Sequence, residues 1–220
     1  MEKFIENIFP TTVVGYKNPN YKETNAKLLK LFEKEKFSGL ETPHLPTENS
    51  SYSPYNTVAT NFHTRQTDDC HLENREEYKF FYDWVDECLD DLKETFSLYT
   101  EGLRVSLSWA NKSNKFQLLD GHIHPNSWYS AVYYVTDNIS QTHFKTPLRQ
   151  SLTGIYIQSN GTLDREEWIY GGPVGSMILF PSWLEHFTLP FHGDGERVTI
   201  SFNVMPCGNT SPYYLSGNVY

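Results

Sequence analysis

Two histidines one residue apart, His122 and His124, sit in the stretch DGHIHPNSWYSAVYYV from Asp120 to Val135. Side chains two apart on an extended backbone point to the same face, so these imidazoles can address one point and supply half of a metal site. The other half has a candidate well downstream, with room for several strands between. GGPVGSMILFPSWLEHF reads as a turn, a buried strand and a Pro-terminated corner that delivers His186. Two ligands from one strand and one from a distant strand leave coordination positions open for substrate or oxygen. Asp120 is a second candidate for the third ligand, since it too lies two residues from His122, although Gly121 can break the strand between them. His124 would then be an inward-facing polar neighbour.

A second constellation follows in RVTISFNV. Alternation places Arg197, Thr199, Ser201 and Asn203 on one face and Val198, Ile200, Phe202 and Val204 on the other. The polar face has two readings. It can be solvated, or Arg197 and Thr199 can receive a buried carboxylate, the guanidinium through its planar fork and the hydroxyl as a further donor.

The elements that must position these residues are mostly strands. From Leu103 onward, LRVSLSW, KFQLL, GHIHP, WYSAVYYV, TGIYIQ, GSMILF, EHFTLP and RVTISFNV are short β-prone runs split by Gly, Pro, Asn and Asp. Upstream, TTVVGY reads as a strand and TNAKLLKLFEKEKF as a helix. A second helix carries Phe81, Trp84, Val85, Cys88, Leu89, Leu92 and Phe96 at helical spacing, with a variant capping box at Asn74 and Glu77 and a stop at Gly102. That aromatic stripe is core, a buttress packed on a sheet. Thr42 to Asp69 is rich in Ser, Thr, Asn and Pro and reads as a long loop, of the kind used for active-site lids. These patterns predict a mainly β, α+β chain: a β-sandwich or barrel with helices on one side.

Composition narrows the function. A formal net charge of −9 without a basic cluster argues against nucleic-acid binding. No run approaches the roughly 18 apolar residues of a membrane span, and MEKFIENIFP lacks a signal-peptide core, so a cytoplasmic protein is expected. Cys70, Cys88 and Cys207 are odd in number and widely spaced, which supports neither a disulfide framework nor a zinc ribbon. The remaining histidines have plain readings: His143 and His192 solvated, and His44, His63 and His71 exposed in or beside the long loop. Trp109, Trp128 and Trp183 flank the constellation as packing residues or as borders of a substrate pocket.

Taken together, HIHPNSWYSAVYYV, FPSWLEHF and ERVTISFN resemble the Fe(II)/2-oxoglutarate-dependent oxygenases, and within them a group of 2-oxoglutarate–Fe(II) oxygenases of bacteria and phages. The resemblance covers about Leu103 to Met205. It implies a double-stranded β-helix (jelly-roll, cupin-like) core buttressed by N-terminal helices. A single domain would span 1–220, with a helical and loop part over 1–102, the β core over 103–205 and a tail over 206–220. It further implies His122 and His186 as Fe(II) ligands, with His124 where many members carry Asp or Glu. Arg197 would hold the distal carboxylate of the co-substrate 2-oxoglutarate beside Thr199, and Tyr134 would be a further donor to it. Pro181 and Ser182 would shape the corner that presents His186. The reaction would hydroxylate a small-molecule or peptidyl substrate with release of succinate and CO2, without nucleic-acid or membrane partners, and a homodimer stays open. Two other readings are a cupin-like three-histidine oxygenase without 2-oxoglutarate and a non-catalytic β-sandwich binding module with a structural metal.

Overall fold

The computed structural model describes residues 10–39, 63–136, 140–147, 167–210 and 218–219. Twelve strands and two helices are ordered β1 (Val14–Lys17), α1 (Tyr21–Phe32), β2 (Phe37–Gly39), β3 (Arg65–Thr67), α2 (Lys79–Thr95), β4 (Gly102–Ser113), β5 (Leu119–His122), β6 (Tyr129–Tyr134), β7 (Ser140–Lys145), β8 (Glu167–Gly172), β9 (Ser176–Pro181), β10 (His186–Thr188), β11 (Arg197–Asn209) and β12 (Asn218–Val219) among the described residues. They form two antiparallel sheets. The major sheet runs β1-β9-β6-β11-β4-β3-β2, with β12 beside β11, and the minor sheet runs β5-β10-β7-β8.

The pairing is nested: β4 with β11, β5 with β10, β6 with β9 and β7 with β8, alternately in the major and minor sheets. This is a double-stranded β-helix. Nesting brings the two ends of the β core to the same place, because β4 and β11 lie side by side although the rest of the core intervenes in sequence. The N-terminal part is not separate from this core. β1 pairs with β9 and β3 with β4, so both extend the major sheet.

The apolar face of β11 explains where the helices go. Val198, Ile200, Phe202 and Val204 are buried in one cluster with Leu28 and Phe32 of α1 and with Phe81, Val85, Cys88, Leu89 and Leu92 of α2. Each such side chain contributes about 1.5–3 kcal/mol by leaving water. Tyr133 of β6 meets the Phe81 ring at 4.9 Å and donates its hydroxyl to Asn25 Oδ1 at 2.7 Å, tying both helices to the sheet. Burial pushes the Cys88 thiol up to about 12, as expected of a core residue.

Several local expectations need correction. Asn74 and Glu77 do not cap α2. Two 3₁₀ turns, Leu72–Asn74 and Glu76–Tyr78, precede it, and the N-cap Tyr78 makes no side-chain cap bond. Asn74 instead donates to Glu73 and Glu77 pairs with Arg75. The helix stops at Thr95, followed by Ser97 at φ +48, while Gly102 opens β4. Of KFQLL only Leu119 is in a strand, and Phe116 adopts φ +70. The polar segments of β7 and β8 pair as strands although no periodicity announced them. Within Thr42–Asp69, Arg65–Thr67 forms β3, whereas 42–62, including His44, lies outside the described residues, as does TGIYIQ. Among the described residues no helix is long and apolar enough to cross a membrane.

One glycine marks a tight contact next to the site. A Cβ at Gly172 of β8 would lie 2.2 Å from the buried Tyr134 ring. Gly172→Ala should therefore displace Tyr134 and destabilise the protein by about 1–3 kcal/mol, as overpacking does. Urea unfolding checks this; an unchanged midpoint would show that the ring moves freely.

Candidate active site

The antiparallel register of β5 and β10 sets His122 directly opposite His186. His124 lies two residues past the end of β5, so strand alternation is not what aims it. Its backbone N–H donates to Ser182 O at 2.9 Å, and the chain then turns through Asn126 at φ +62. The three rings still converge, with centroids 4.3, 5.1 and 5.0 Å apart, and one ligand atom from each lies within 4.8 Å of the others.

Hydrogen bonds fix which nitrogen each ring presents. His122 Nδ1 lies 2.7 Å from Asp120 O, His186 Nδ1 2.9 Å from Leu184 O, and His124 Nδ1 2.5 Å from Asn203 Oδ1. All three partners are acceptors, so Nδ1 carries the proton and a neutral ring presents a bare Nε2. Burial pushes His186 down to about 3 and lowers His124, so both are neutral near pH 7. His122 Nε2 and His124 Nε2 are 3.1 Å apart. Two lone pairs that close repel unless a cation lies between them. Nitrogens about 2.1 Å from one ion and at right angles around it are separated by about 3 Å, so the spacing fits a shared metal. The donor set of imidazoles suits iron, zinc or nickel.

Asp120 takes no part in this cluster. Its carboxylate is 74% exposed and turned toward His63 Nδ1 at 3.6 Å, while its carbonyl accepts from His122.

The polar face of β11 is interior, which excludes the solvated reading. Arg197, Thr199 and Ser201 line the same cleft as the three histidines. Arg197 is 7% exposed, and its Nη2 donates to Ser113 Oγ and Thr188 Oγ1, both at 2.9 Å. Among the described residues no carboxylate lies within ion-pair distance of it. Burial lowers its pKa to about 10, so it stays cationic at neutral pH. A buried charge without a counter-ion is costly, and a bound anion would satisfy it. Thr199 accepts from Asn111 Nδ2 at 3.3 Å. Tyr134, opposite Thr199 across the sheet, shares a 2.7 Å hydrogen bond with Thr142, and burial raises its hydroxyl well above the usual range. All six residues singled out in the sequence, His122, His124, His186, Arg197, Thr199 and Tyr134, border one cleft.

Other residues of the site gave weaker sequence signals. Ser113, Thr188 and Asn111 hold the Arg197 face, and Asn203 meets His124. Trp109 borders the cleft with its ring 5.6 Å from His124, and its buried Nε1 has no partner among the described residues. Ser182 is buried at the corner before His186 and bonds Ser130. His143, expected in solvent, is instead 1% exposed on β7, against the Phe187 ring and hydrogen-bonded to Glu167. Its strand lies between β10 and β8, which removes it from water. His63 is only partly exposed, because it bridges to Leu118, while His71 and His192 are exposed as expected.

Residues 107–203, which hold every residue lining the cleft except Thr64 and Gln66, match the family described as "Putative 2OG-Fe(II) oxygenase". The β core is similar to that family over 97 of the 220 residues. No curated protein matches the sequence. Among solved structures, the chain is similar to HygX from Streptomyces hygroscopicus with nickel, 2-oxoglutarate and hygromycin B bound, at 11% identity and a TM-score of 0.56 over 89% of this chain and 83% of that one. It is similar also to a Pseudomonas putida prolyl-4-hydroxylase, at 11% identity and a TM-score of 0.55 over 88% of this chain and 92% of that one. The non-heme alpha-ketoglutarate-dependent epimerase SnoN from nogalamycin biosynthesis aligns with a TM-score of 0.60 at 10% identity, covering 92% of this chain and 79% of its own. At such identities the likeness is one of fold. Arg197, without a carboxylate partner among the described residues, and the converging Nε2 atoms are features of this chain itself, and they fit an anion and a divalent metal.

Proposed function

We propose that this chain is a 2-oxoglutarate- and Fe(II)-dependent oxygenase that hydroxylates a small-molecule or peptidyl substrate, as one domain over 1–220. His122, His124 and His186 would hold the iron, and Arg197 with Thr199 would hold the distal carboxylate of 2-oxoglutarate. Fe(II) and 2-oxoglutarate supply the oxygen chemistry: substrate, 2-oxoglutarate and O2 give hydroxylated substrate, succinate and CO2. The chain's own residues position the reactants. Ser113 and Thr188 take the Nη2 protons of Arg197, which orients the guanidinium and leaves Nη1 for a ligand. Tyr134 stays a neutral hydroxyl donor to the co-substrate. Leu119, Val132 and Phe187 give the cleft apolar walls, which strengthen the charge pairing by excluding water.

The observation that carries this reading is the meeting, in one cleft, of three tautomer-fixed imidazoles with a buried arginine that has no carboxylate partner among the described residues. A metal oxygenase without 2-oxoglutarate gives Arg197 no task, and a structural metal site would close with a fourth protein ligand. A small molecule and a peptide are both found bound among the similar folds, hygromycin B in one structure and a hypoxia inducible factor peptide fragment in complex with a prolyl hydroxylase from Trichoplax adhaerens in another. The three free cysteines support a reducing, cytoplasmic setting.

The test is an anaerobic titration with Fe(II) and then 2-oxoglutarate. A visible metal-to-ligand charge-transfer band should appear only after both additions. Iron binding without the band would favour the three-histidine enzyme that uses no 2-oxoglutarate, and no iron binding would return the histidines to structure.

A further inference from the structure

The three imidazoles are anchored in two different ways. His122 and His186 give their Nδ1 protons to backbone carbonyls two residues upstream, at Asp120 and Leu184. Those acceptors come with the local chain and do not depend on any side chain. His124, beyond the end of β5, gives its Nδ1 proton to a side chain, Oδ1 of Asn203 on β11, at 2.5 Å. Asn203 is 8% exposed, and its Oδ1 also accepts from Ser130 Oγ at 3.2 Å. With that proton committed, Ser130 accepts from Ser182 Oγ at 2.8 Å, and the Ser182 carbonyl takes the His124 backbone N–H at 2.9 Å. The polar groups thus form a closed ring through His124, Asn203, Ser130 and Ser182.

The chemistry of the third ligand makes this ring necessary. A carboxylate ligand brings no proton of its own, whereas an imidazole brings a second ring N–H that must find an acceptor when buried. If that proton sat on Nε2 instead, His124 would point a donor into the cluster and could not bind a metal. We propose that Asn203 is the positioning residue that makes His124 usable as a metal ligand, by fixing its proton on Nδ1 and its ring plane toward His122 and His186. The inference rests on the three-histidine reading of the metal site.

Anaerobic Co(II) binding to the full chain, followed by chelator competition and by the visible d–d spectrum, tests it without turnover. Asn203→Leu should weaken Co(II) binding by about 10–100-fold and change the spectrum, as loss of an outer-shell partner does. Asn203→Asp, which keeps an acceptor at that place, should restore both. In a His124→Ala background, Asn203→Leu should alter affinity by no more than about twofold, the additivity limit for uncoupled sites, and Asn203→Asp should give no gain. Ser130→Ala, which removes one bond to Asn203 without adding bulk, should weaken binding a few-fold and serves if the leucine variant does not fold. Wild-type affinity and spectrum in both Asn203→Leu and Ser130→Ala would overturn the proposal, as would equal losses with and without His124. If His124→Ala alone leaves affinity and spectrum unchanged, the three-histidine reading itself fails.

Discussion

His122→Ala is expected to abolish stoichiometric Fe(II) binding while leaving the fold nearly intact. His122 supplies one of three convergent Nε2 atoms and sits at the partly exposed end of β5. Losing it leaves two ring nitrogens from different segments. The affinity loss should exceed the about 10–100-fold that removing an outer-shell partner costs. The fold should tolerate the change because the nested strand pairing does not use that side chain. Removal also relieves the 3.1 Å approach of two lone pairs on His122 and His124 in the metal-free chain. His186→Ala should lose iron equally but at a structural cost, since the ring is buried 4.7 Å from Phe180. That cost is about 2–5 kcal/mol, the range for emptying a packed core site. Metal content after anaerobic loading, read beside circular dichroism and thermal unfolding, separates the two effects. Stoichiometric iron retained in both variants would falsify the assignment.

The difference between these histidines bears on what the sequence could show. Periodicity reports what a residue does within its own element. The stripe from Phe81 to Leu92 therefore identified a core helix, and the alternation in RVTISFNV identified a two-faced strand correctly. It could not say that the polar face of that strand is interior, because the opposing sheet is assembled from β5, β7, β8 and β10, which are distant in the chain. Pairing of β4 with β11 is set by nesting rather than by any short-range signal.

The site was legible to a similar depth. Histidine spacing exposed His122, His124 and His186, yet the warrant from strand alternation holds only for His122, as His124 lies past the strand and is held by Ser182. Its acceptor Asn203 is 79 residues away and emerges only when β11 crosses the cleft. Likewise Ser113 and Thr188 reveal their role only once they meet the Arg197 guanidinium. His143 was misread because SQTHFK carries no apolar alternation, and its burial comes from neighbouring strands. Asn74 and Glu77 had the spacing of a cap but found nearer partners in Glu73 and Arg75, so a local pattern lost to a local competitor.

Arg197→Met should separate function from stability at the other end of the cleft. Arg197 is a buried cation held by two hydroxyls, with no carboxylate among the described residues within ion-pair distance. Burial lowers its pKa to about 10, because the guanidinium is held away from water. An apolar side chain of similar length removes that desolvation cost, so the variant should unfold at the same temperature as the wild type or higher. Binding should respond in the opposite direction. A charge-assisted contact to a buried carboxylate is worth about 2–5 kcal/mol, so the dissociation constant for 2-oxoglutarate should rise about 30-fold or more. At 100 times its dissociation constant, 2-oxoglutarate adds about 2.7 kcal/mol to the iron-loaded wild type, a rise in unfolding temperature that the variant should lack at the same concentration. Loss of stability with unchanged 2-oxoglutarate affinity would make Arg197 a structural residue of the β-helix. A stable variant blind to 2-oxoglutarate would show that the buried charge serves the co-substrate, whose carboxylate supplies its partner, and not the fold.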